Sequence, residues 1–324
     1  MTKKKPDIFL GITMGMLVLA ALLCVVILIV QKQTDSKPSV NPTNVVVNSD
    51  TNAPVVSDES GSTTEEASQS SQPQPAADVK AIDEAALKAA LDDNLQPLSS
   101  NWDLVVMDPV VGTKVTASHQ ADPEAWMEVN RMLPVFIMGS AYQQVANGTM
   151  TEADIEADVK AMIVEQDYAA ADRLTTAIGG GDAAAGMQAV KDFAAANGMQ
   201  ISYNRALSAT SGRPNYMKAS LCAEILNKIC RGEIVSPDAS ARMKEIICTP
   251  KENEQIVPTL ATEGATYGLI TDCEDNLCCC AMGIVNLPNR SYVVSVFCFD
   301  PVNMGNAQKR AGEIIALTET YFAE

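Results

Sequence analysis

Histidine is the rarest residue of this 324-residue chain, and acidic residues outnumber basic ones. Its single histidine, His119, cannot form a histidine pair for zinc and leaves one candidate for any Ser-His-Asp or Cys-His arrangement. Only 23 lysines and arginines stand against 40 aspartates and glutamates, and the formal charge of −17 would repel a phosphate backbone. We therefore expect no nucleic-acid partner, no bound metal and no cofactor.

Charge and proline are also absent from residues 8–30, which are apolar apart from one threonine. At about 1.5 Å per residue, a helix of this length spans the roughly 30 Å hydrocarbon core of a bilayer. Three lysines at 3–5 precede it, so the positive-inside rule places residues 1–7 in the cytoplasm and the rest outside the cell. A cleaved signal peptide is the alternative, but no small-x-small cleavage site follows. The pattern predicts an uncleaved, single-pass anchor in the cell membrane.

Residues 31–77 contain few apolar side chains and are rich in Ser, Thr, Asn, Gln, Pro and acidic residues. Such a segment cannot bury enough apolar surface to offset the entropy of ordering its backbone. The composition therefore predicts a disordered stalk that holds a folded domain, residues 78–324, away from the membrane. In a bacterium this domain would lie in or near the cell wall.

The hydrophobic pattern of residues 78–324 predicts an α/β sandwich with one antiparallel sheet. A first helix precedes two strands, a long Ala-rich helical section follows, and three strands lead to a closing helix at about 304–322. The predicted strands cover residues 102–107, 114–118, 265–271, 277–286 and 291–299. We expect the sheet to be flanked by the N- and C-terminal helices, with an all-helical subdomain inserted between the two groups of strands.

This order of elements, and four segments of the chain, resemble the class A serine β-lactamases and related penicillin-recognising enzymes. The segments are PVFIMGSAYQQVANG at 134–148, MIVEQDYAAADRLTTAIGG at 162–180, GRPNYMKASLCAEILNKICRGEIVS at 212–236 and AMGIVNLPNRSYVVSVF at 281–297. They occur in the family's order, and the resemblance covers residues 78–324. The resemblance implies a β-lactamase/transpeptidase-like fold and, in an intact member, a serine hydrolase.

The family's nucleophile lies in a Ser-x-x-Lys motif, because a serine hydroxyl needs a neighbouring base to accept its proton. Ungapped alignment places Arg131 at the serine and Pro134 at the lysine. A shift of two residues places Val129 and Met132 there instead. No serine anywhere in the chain is followed by lysine three residues later, so the resemblance implies a degenerate member without the catalytic motif.

Two further family motifs are altered. Gln166, Asp167 and Tyr168 occupy the Ser-Asp-Asn positions, so only the central aspartate remains. In the Ω-loop region Asn215 matches the family, but Ser211 replaces the general-base glutamate, and an activated water would have no carboxylate base.

The third altered motif is the Lys-Thr-Gly strand, whose positions carry Thr271, Asp272 and Cys273. An acid in the place of a cation would oppose the carboxylate of a β-lactam or peptide stem. A solvated residue on an edge strand is the alternative interpretation of Asp272. The candidate binding residues are Arg131, Asp167, Tyr168, Asn215 and Asp272, and for Arg131 a solvated or helix-capping arginine is the commoner interpretation.

Three functions remain open. We favour a catalytically inactive, membrane-anchored domain that binds a peptidoglycan fragment or a cell-envelope protein through the degraded cleft. The second is an active serine hydrolase with a relocated nucleophile, Ser140 or Ser211. The third is a structural interaction module whose cleft is closed by Arg131 and Tyr168.

Eight of the nine cysteines follow the predicted anchor, and the sequence allows either disulfides or free buried thiols. Cys273 and Cys278 flank an acidic turn predicted at 274–276 and could meet across a hairpin. Cys248, three residues before Lys251, imitates a Cys-x-x-Lys nucleophile, although it follows a late helix far from the family's position. His119 is predicted to be a surface loop residue.

Overall fold

The computed structural model describes residues 79–96, 98, 100–120, 125–129, 131–274 and 277–323. All of them belong to the unit Ser71–Glu324. The predicted cytoplasmic tail, the anchor at 8–30 and the stalk at 31–77 lie outside the described residues. Within the described residues, no helix combines the length and apolar character needed to cross a bilayer.

Five strands form one antiparallel sheet in the order β2-β1-β7-β6-β5, and two short strands, β3 and β4, pair separately. The strands are β1 (Asn101–Met107), β2 (Lys114–His119), β3 (Met127–Glu128), β4 (Tyr216–Met217), β5 (Thr266–Glu274), β6 (Cys278–Asn286) and β7 (Ser291–Phe299). All five strands of the main sheet were predicted, whereas β3 and β4, of two residues each, are too short to produce a recognisable pattern. His119, predicted to be in a loop, is instead the half-buried last residue of β2, with Nδ1 3.3 Å from the Ser100 carbonyl.

Strand β5 extends beyond its predicted end at residue 271. Its ladder with β6 continues through Asp272 and Cys273 to Glu274, which pairs with Cys278. Glu274 is the last residue of β5, and its carbonyl accepts the Leu277 N–H over 3.0 Å, so the predicted turn does begin at this residue, after a longer strand than expected. This extension places Asp272 and Glu274 within the sheet, on the same face of β5.

The described residues also form eight helices. They are α1 (Glu84–Leu95), α2 (Pro134–Ala146), α3 (Glu152–Ile163), α4 (Tyr168–Ile178), α5 (Ala183–Ala196), α6 (Ala219–Cys230), α7 (Pro237–Ile247) and α8 (Met304–Phe322). Several begin at an N-cap side chain that accepts a backbone N–H, as Asp83, Asp182 and Asn303 do for α1, α5 and α8. These caps explain why the acidic and amide residues of the sequence mark the helix starts.

Helices α2 to α7 lie in the predicted helical section, and α4 and α5 approach each other closely. A Cβ added at Gly186 would lie 1.8 Å from the Thr175 carbonyl oxygen, so this contact requires glycine. The intervening Gly180 and Gly181 have positive φ angles, which allow the tight reversal between the two helices.

Apolar side chains fill the space on both faces of the sheet. One buried cluster lies between the sheet and helices α2 to α7, and a second lies between the sheet and helices α1 and α8. Strand β6 is buried at every position except its last, because helices cover both of its faces. The structure confirms the predicted α/β sandwich with flanking terminal helices and a helical subdomain.

Candidate functional site

The end of β5 meets the segment that leads into α2. The backbone N–H of Arg131 donates to Asp272 Oδ2 over 2.7 Å. Although β5 is an edge strand of the sheet, Asp272 is 0% exposed, so the interpretation of a solvated edge residue was wrong. The chain around Arg131 covers the carboxylate, which is why a residue at the sheet edge is buried.

The side chain of Arg131 contacts two further groups. Its Nε lies 3.3 Å from Glu274 Oε1, and its guanidinium carbon lies 4.5 Å from the centre of the Tyr168 ring. Both are favourable contacts for a guanidinium, with a carboxylate at its edge and an aromatic ring under its face. Arg131, Tyr168, Asp272 and Glu274 therefore form one connected group, which we call the cleft cluster.

Tyr168, the first residue of α4, has a pKa raised well above its ordinary value. Burial is the main cause, and the negative charge of Asp272 adds to it, while Arg131 acts in the opposite direction. The Tyr168 hydroxyl therefore stays protonated at neutral pH and cannot act as a base there. Within the cleft cluster, the one guanidinium is already engaged by acidic and aromatic neighbours.

Sequence reasoning missed Glu274, because it placed this residue in a turn. The available signal was its spacing from Asp272, since residues two apart in a strand lie on the same face. The complementary set, Thr271 and Cys273, lies on the other face of β5. Thr271 is 2% exposed, and its Oγ1 is 3.2 Å from Gln255 Oε1.

The positions that the family fills with serine and lysine contain no such pair in either alignment. Pro134 is the buried first residue of α2, and Val129 and Met132 are buried apolar residues. Of the two alternative nucleophiles, Ser140 lies inside α2 and is 1% exposed, whereas Ser211 lies exposed before β4. A substrate could therefore reach Ser211 but not Ser140.

Asp167 and Asn215 are the two residues that match the family's motifs, and both accept hydrogen bonds from backbone N–H groups. Asp167 is the N-cap of α4, with Oδ1 accepting the Ala169 N–H over 2.9 Å. Asn215 is 1% exposed, and its Oδ1 accepts the backbone N–H groups of Asn204 (2.8 Å) and Arg205 (3.1 Å). The contacts of both residues indicate structural roles and do not bring either of them into the cleft cluster.

Gln166 lines a cavity of about 470 Å³ beside the start of α4. Its φ angle is +57°, an uncommon conformation for a residue other than glycine. The cavity is lined by Val164, Glu165, Gln166, Pro250, Glu252 and Asn253. Two carboxylates in its wall make it unfavourable for an anionic ligand.

The eight cysteines of the described residues are free thiols. The prediction that Cys273 and Cys278 could meet was wrong, because the register places Cys273 opposite Cys279. Cys278 is one position away and therefore lies on the other face of β6.

Cys248 caps the end of α7 and accepts a hydrogen bond from Asn286 Nδ2 over 3.3 Å. Lys251 donates to the Ile247 carbonyl over 3.0 Å, and burial lowers its pKa. Among the residues that the structure describes, no three histidine, cysteine or acidic side chains form a group that could hold a metal ion.

Comparison with known proteins supports one family. The Beta-lactamase2 model, of the β-lactamase enzyme family, matches residues 142–318, which is more than half of the chain. The structure of the TLA-1 extended-spectrum β-lactamase gives a TM-score of 0.65 at 14% identity, covering 74% of this chain and 99% of that chain.

Two further solved structures show the same likeness. The β-lactamase from Sphaerobacter thermophilus gives a TM-score of 0.58 at 18% identity, over 73% of this chain and 96% of its own. The β-lactamase from Burkholderia vietnamiensis gives 0.58 at 17% identity, over 72% and 97%. No curated protein matches the sequence significantly. At these identities, the solved structures demonstrate a shared fold.

Proposed function

Because this chain belongs to the β-lactamase enzyme family, we propose that it is a non-catalytic member whose former cleft is closed by its own side chains. The observation that supports this proposal is the set of contacts made by Arg131, the residue at the aligned nucleophile position. Its guanidinium is engaged by Glu274 and Tyr168, and its backbone N–H by Asp272. A guanidinium cannot serve as the nucleophile of an acyl transfer.

The charge of the cleft cluster also argues against the family's substrates. Asp272 and Glu274 bring two carboxylates to Arg131, the first at its backbone N–H and the second at its guanidinium, and Glu165 and Glu252 line the neighbouring cavity. A β-lactam or a peptidoglycan stem peptide carries a carboxylate, which would meet this acidic surface unfavourably. We therefore favour an interaction module that contacts a cell-envelope protein over one that binds a peptidoglycan fragment.

We further propose that residues 8–30 anchor the chain in the cell membrane and that residues 31–77 extend the domain outward. The apolar composition of the first segment and the polar composition of the second support this arrangement. An anchored domain with a closed cleft would act by presenting its surface to partners in the cell envelope. Accessibility of the domain to protease in intact cells would test the topology.

The catalytic part of the proposal is tested by acylation. The full-length chain, incubated with a fluorescent penicillin and then denatured by heat, is expected to carry no covalent label, while an active serine β-lactamase of the family serves as the positive control. Arg131→Ala is expected to remain unlabelled, because removing the guanidinium opens the cluster without supplying a nucleophile and base. Heat-stable labelling of the wild-type chain would overturn the proposal.

The competing function, a hydrolase with a relocated nucleophile, is tested separately. Ser211 is the exposed one of the two candidates, so Ser211→Ala is the informative variant and buried Ser140→Ala is its control. Nitrocefin or peptide turnover by the wild type that disappears in Ser211→Ala alone would establish this alternative. We expect no turnover in any of the three proteins.

A further inference from the structure

Strands β5 and β6 bring two thiols into contact on the sheet face that packs against α8. Cys273 lies directly opposite Cys279 in the antiparallel register, and the two Sγ atoms are 3.4 Å apart. Cys278 and Cys280, the neighbours of Cys279 in the chain, lie on the opposite face of β6. Alternation along the strand therefore selects one of three consecutive cysteines as the partner of Cys273.

The two thiols differ in access and in acidity. Cys273 is half-buried on the edge strand, whereas Cys279 is 0% exposed in the interior of the sheet. The hydrogen bond from Cys279 lowers the pKa of Cys273, while the pKa of Cys279 is raised by this hydrogen bond and by burial. The thiolate, which is the reactive form, is therefore favoured on the sulfur that solvent can reach.

We propose that Cys273 and Cys279 form a redox-active pair, which closes to a cross-strand disulfide by exchange with a low-molecular-weight disulfide. In the first step the Cys273 thiolate attacks one sulfur of the external disulfide, forms a mixed disulfide and releases one thiolate. In the second step Cys279 loses its proton and attacks Cys273 Sγ, which releases the second thiolate. The two protein thiols are oxidised, the external disulfide is reduced to two thiols, and a reducing thiol reverses the reaction.

The geometry requires only a small movement. A disulfide has an S–S distance of about 2.05 Å and a Cβ–Cβ distance of roughly 3.5–4.5 Å. Directly opposed residues of antiparallel strands already hold their Cβ atoms about 4.5–5.5 Å apart. Because β5 is the edge strand, it can approach β6 without displacing another strand on its outer side.

Closure of this bond would act on the cleft cluster through the backbone. Cys273 lies between Asp272 and Glu274, the two carboxylates that contact Arg131. The bond would attach this end of β5 covalently to its neighbour β6 and so restrict its separation from the sheet. The thiol pair can close whether or not the cleft is catalytic.

The pair is tested by mapping disulfides in the full-length chain after equilibration with oxidised and with reduced glutathione. Free thiols are blocked under denaturing conditions, and cleavage after Glu274 separates Cys273 from the three cysteines at 278–280. In the oxidised sample we expect two fewer free thiols and a linked pair of peptides, one containing Cys273 and the other containing Cys279. Reduced glutathione is expected to restore both thiols.

Variants identify the partner among the three neighbouring cysteines. Cys279→Ala is expected to stop at the mixed disulfide, losing one thiol as a glutathione adduct at Cys273 and forming no link between peptides, whereas Cys278→Ala and Cys280→Ala, the matched controls, still lose two. A link from Cys273 to position 278, 280 or 298, or the absence of any link at Cys273, would overturn the proposal. The wild-type peptide map alone decides whether Cys273 is bridged, should a variant fail to fold.

Discussion

Two arginine–carboxylate pairs on opposite sides of the sheet show how differently the same chemistry can act. In the pair Arg290–Asp108 the side chains are 3% and 0% exposed. In the pair Arg131–Glu274 they are 36% and 27% exposed. The first pair is enclosed by the protein, and the second lies half in solvent at the cleft, so the cost of removing one partner should differ several-fold between them.

The surroundings of Arg290 explain its burial. It donates to the Lys80 carbonyl over 3.0 Å, and its guanidinium lies 5.0 Å from the centre of the Phe322 ring. Asp108, directly after β1, also accepts the Val110 N–H over 2.8 Å. This pair joins the N-terminal segment, two turns of the sheet and α8. The enclosed pair is thus part of the packed scaffold, whereas the half-exposed pair lies at the cleft, where Asp272 leaves one carboxylate in excess.

The largest expected effect is the loss of the buried pair. Asp108→Ala should lower the free energy of unfolding by about 3–5 kcal/mol, because Arg290 would stay buried without its anion. Urea unfolding followed by circular dichroism measures this effect. Glu274→Ala is the matched control and should cost under about 1 kcal/mol, since its partner can turn toward water. Equal losses in the two variants would contradict the comparison.

A smaller effect is expected from Asp272, which lies under the half-exposed pair. Asp272→Ala should cost about 1.5–3 kcal/mol, the range for a hydrogen bond to a charged group, because the Arg131 N–H loses its acceptor. Asp272→Asn keeps an acceptor oxygen and should cost less than the alanine variant in the same urea experiment. If the asparagine variant is as unstable as the alanine variant, the hydrogen bond is not the cause.

Alkaline pH should lower the stability of the protein through Tyr168, a residue of the cleft cluster. Its pKa is raised in the folded protein, so above the unfolded tyrosine pKa of about 10 the unfolded state binds fewer protons and stability falls as pH rises. One such group contributes a slope of about 1.4 kcal/mol per pH unit. Tyr168→Phe should therefore flatten the pH dependence of the unfolding free energy above pH ~10. An unchanged slope would refute the assignment.

The smallest effect concerns the ion pair of Arg131 with Glu274. A double-mutant cycle with Arg131→Ala and Glu274→Ala should give a coupling of about 0.2–1 kcal/mol, which shrinks as salt is raised. Urea unfolding at low and high salt measures it. The exposed pair of Arg173 with Asp158, 2.6 Å apart, provides a reference cycle of the same chemistry. A coupling of several kcal/mol would contradict this expectation, because it would make the Arg131–Glu274 pair as strong as a buried one.

Much of the fold was predictable because hydrophobic periodicity and composition are local properties of the sequence. The strand predicted at 291–299 and the helix predicted at 304–322 have these limits in the structure. Their apolar residues repeat at the spacing of a strand and of a helix respectively. The absence of a Ser-x-x-Lys motif was also evident, because that motif is defined by spacing along the chain.

The contacts of the candidate site were less predictable. Arg131 and Asp272 were both identified from the sequence, but nothing along the chain indicates that the N–H of one binds the carboxylate of the other across 141 positions. Glu274 and Cys279 were missed as partners, because both depend on how far the ladder between β5 and β6 continues. A shift of one residue in that register would place Cys278 opposite Cys273.

The sequence by itself determined which side chains this protein has for chemistry: one histidine, no Ser-x-x-Lys motif, an acidic surface and a run of three cysteines. It also determined the α/β sandwich, since hydrophobic periodicity sets which faces can be buried. Only the tertiary structure decided that Asp272 is buried, that Arg131 is engaged by acidic and aromatic neighbours, and that Cys273 meets Cys279. These contacts join residues that are far apart in the sequence or that meet only in one strand register. Strand pairing and helix packing determine them, whereas local conformational preference does not.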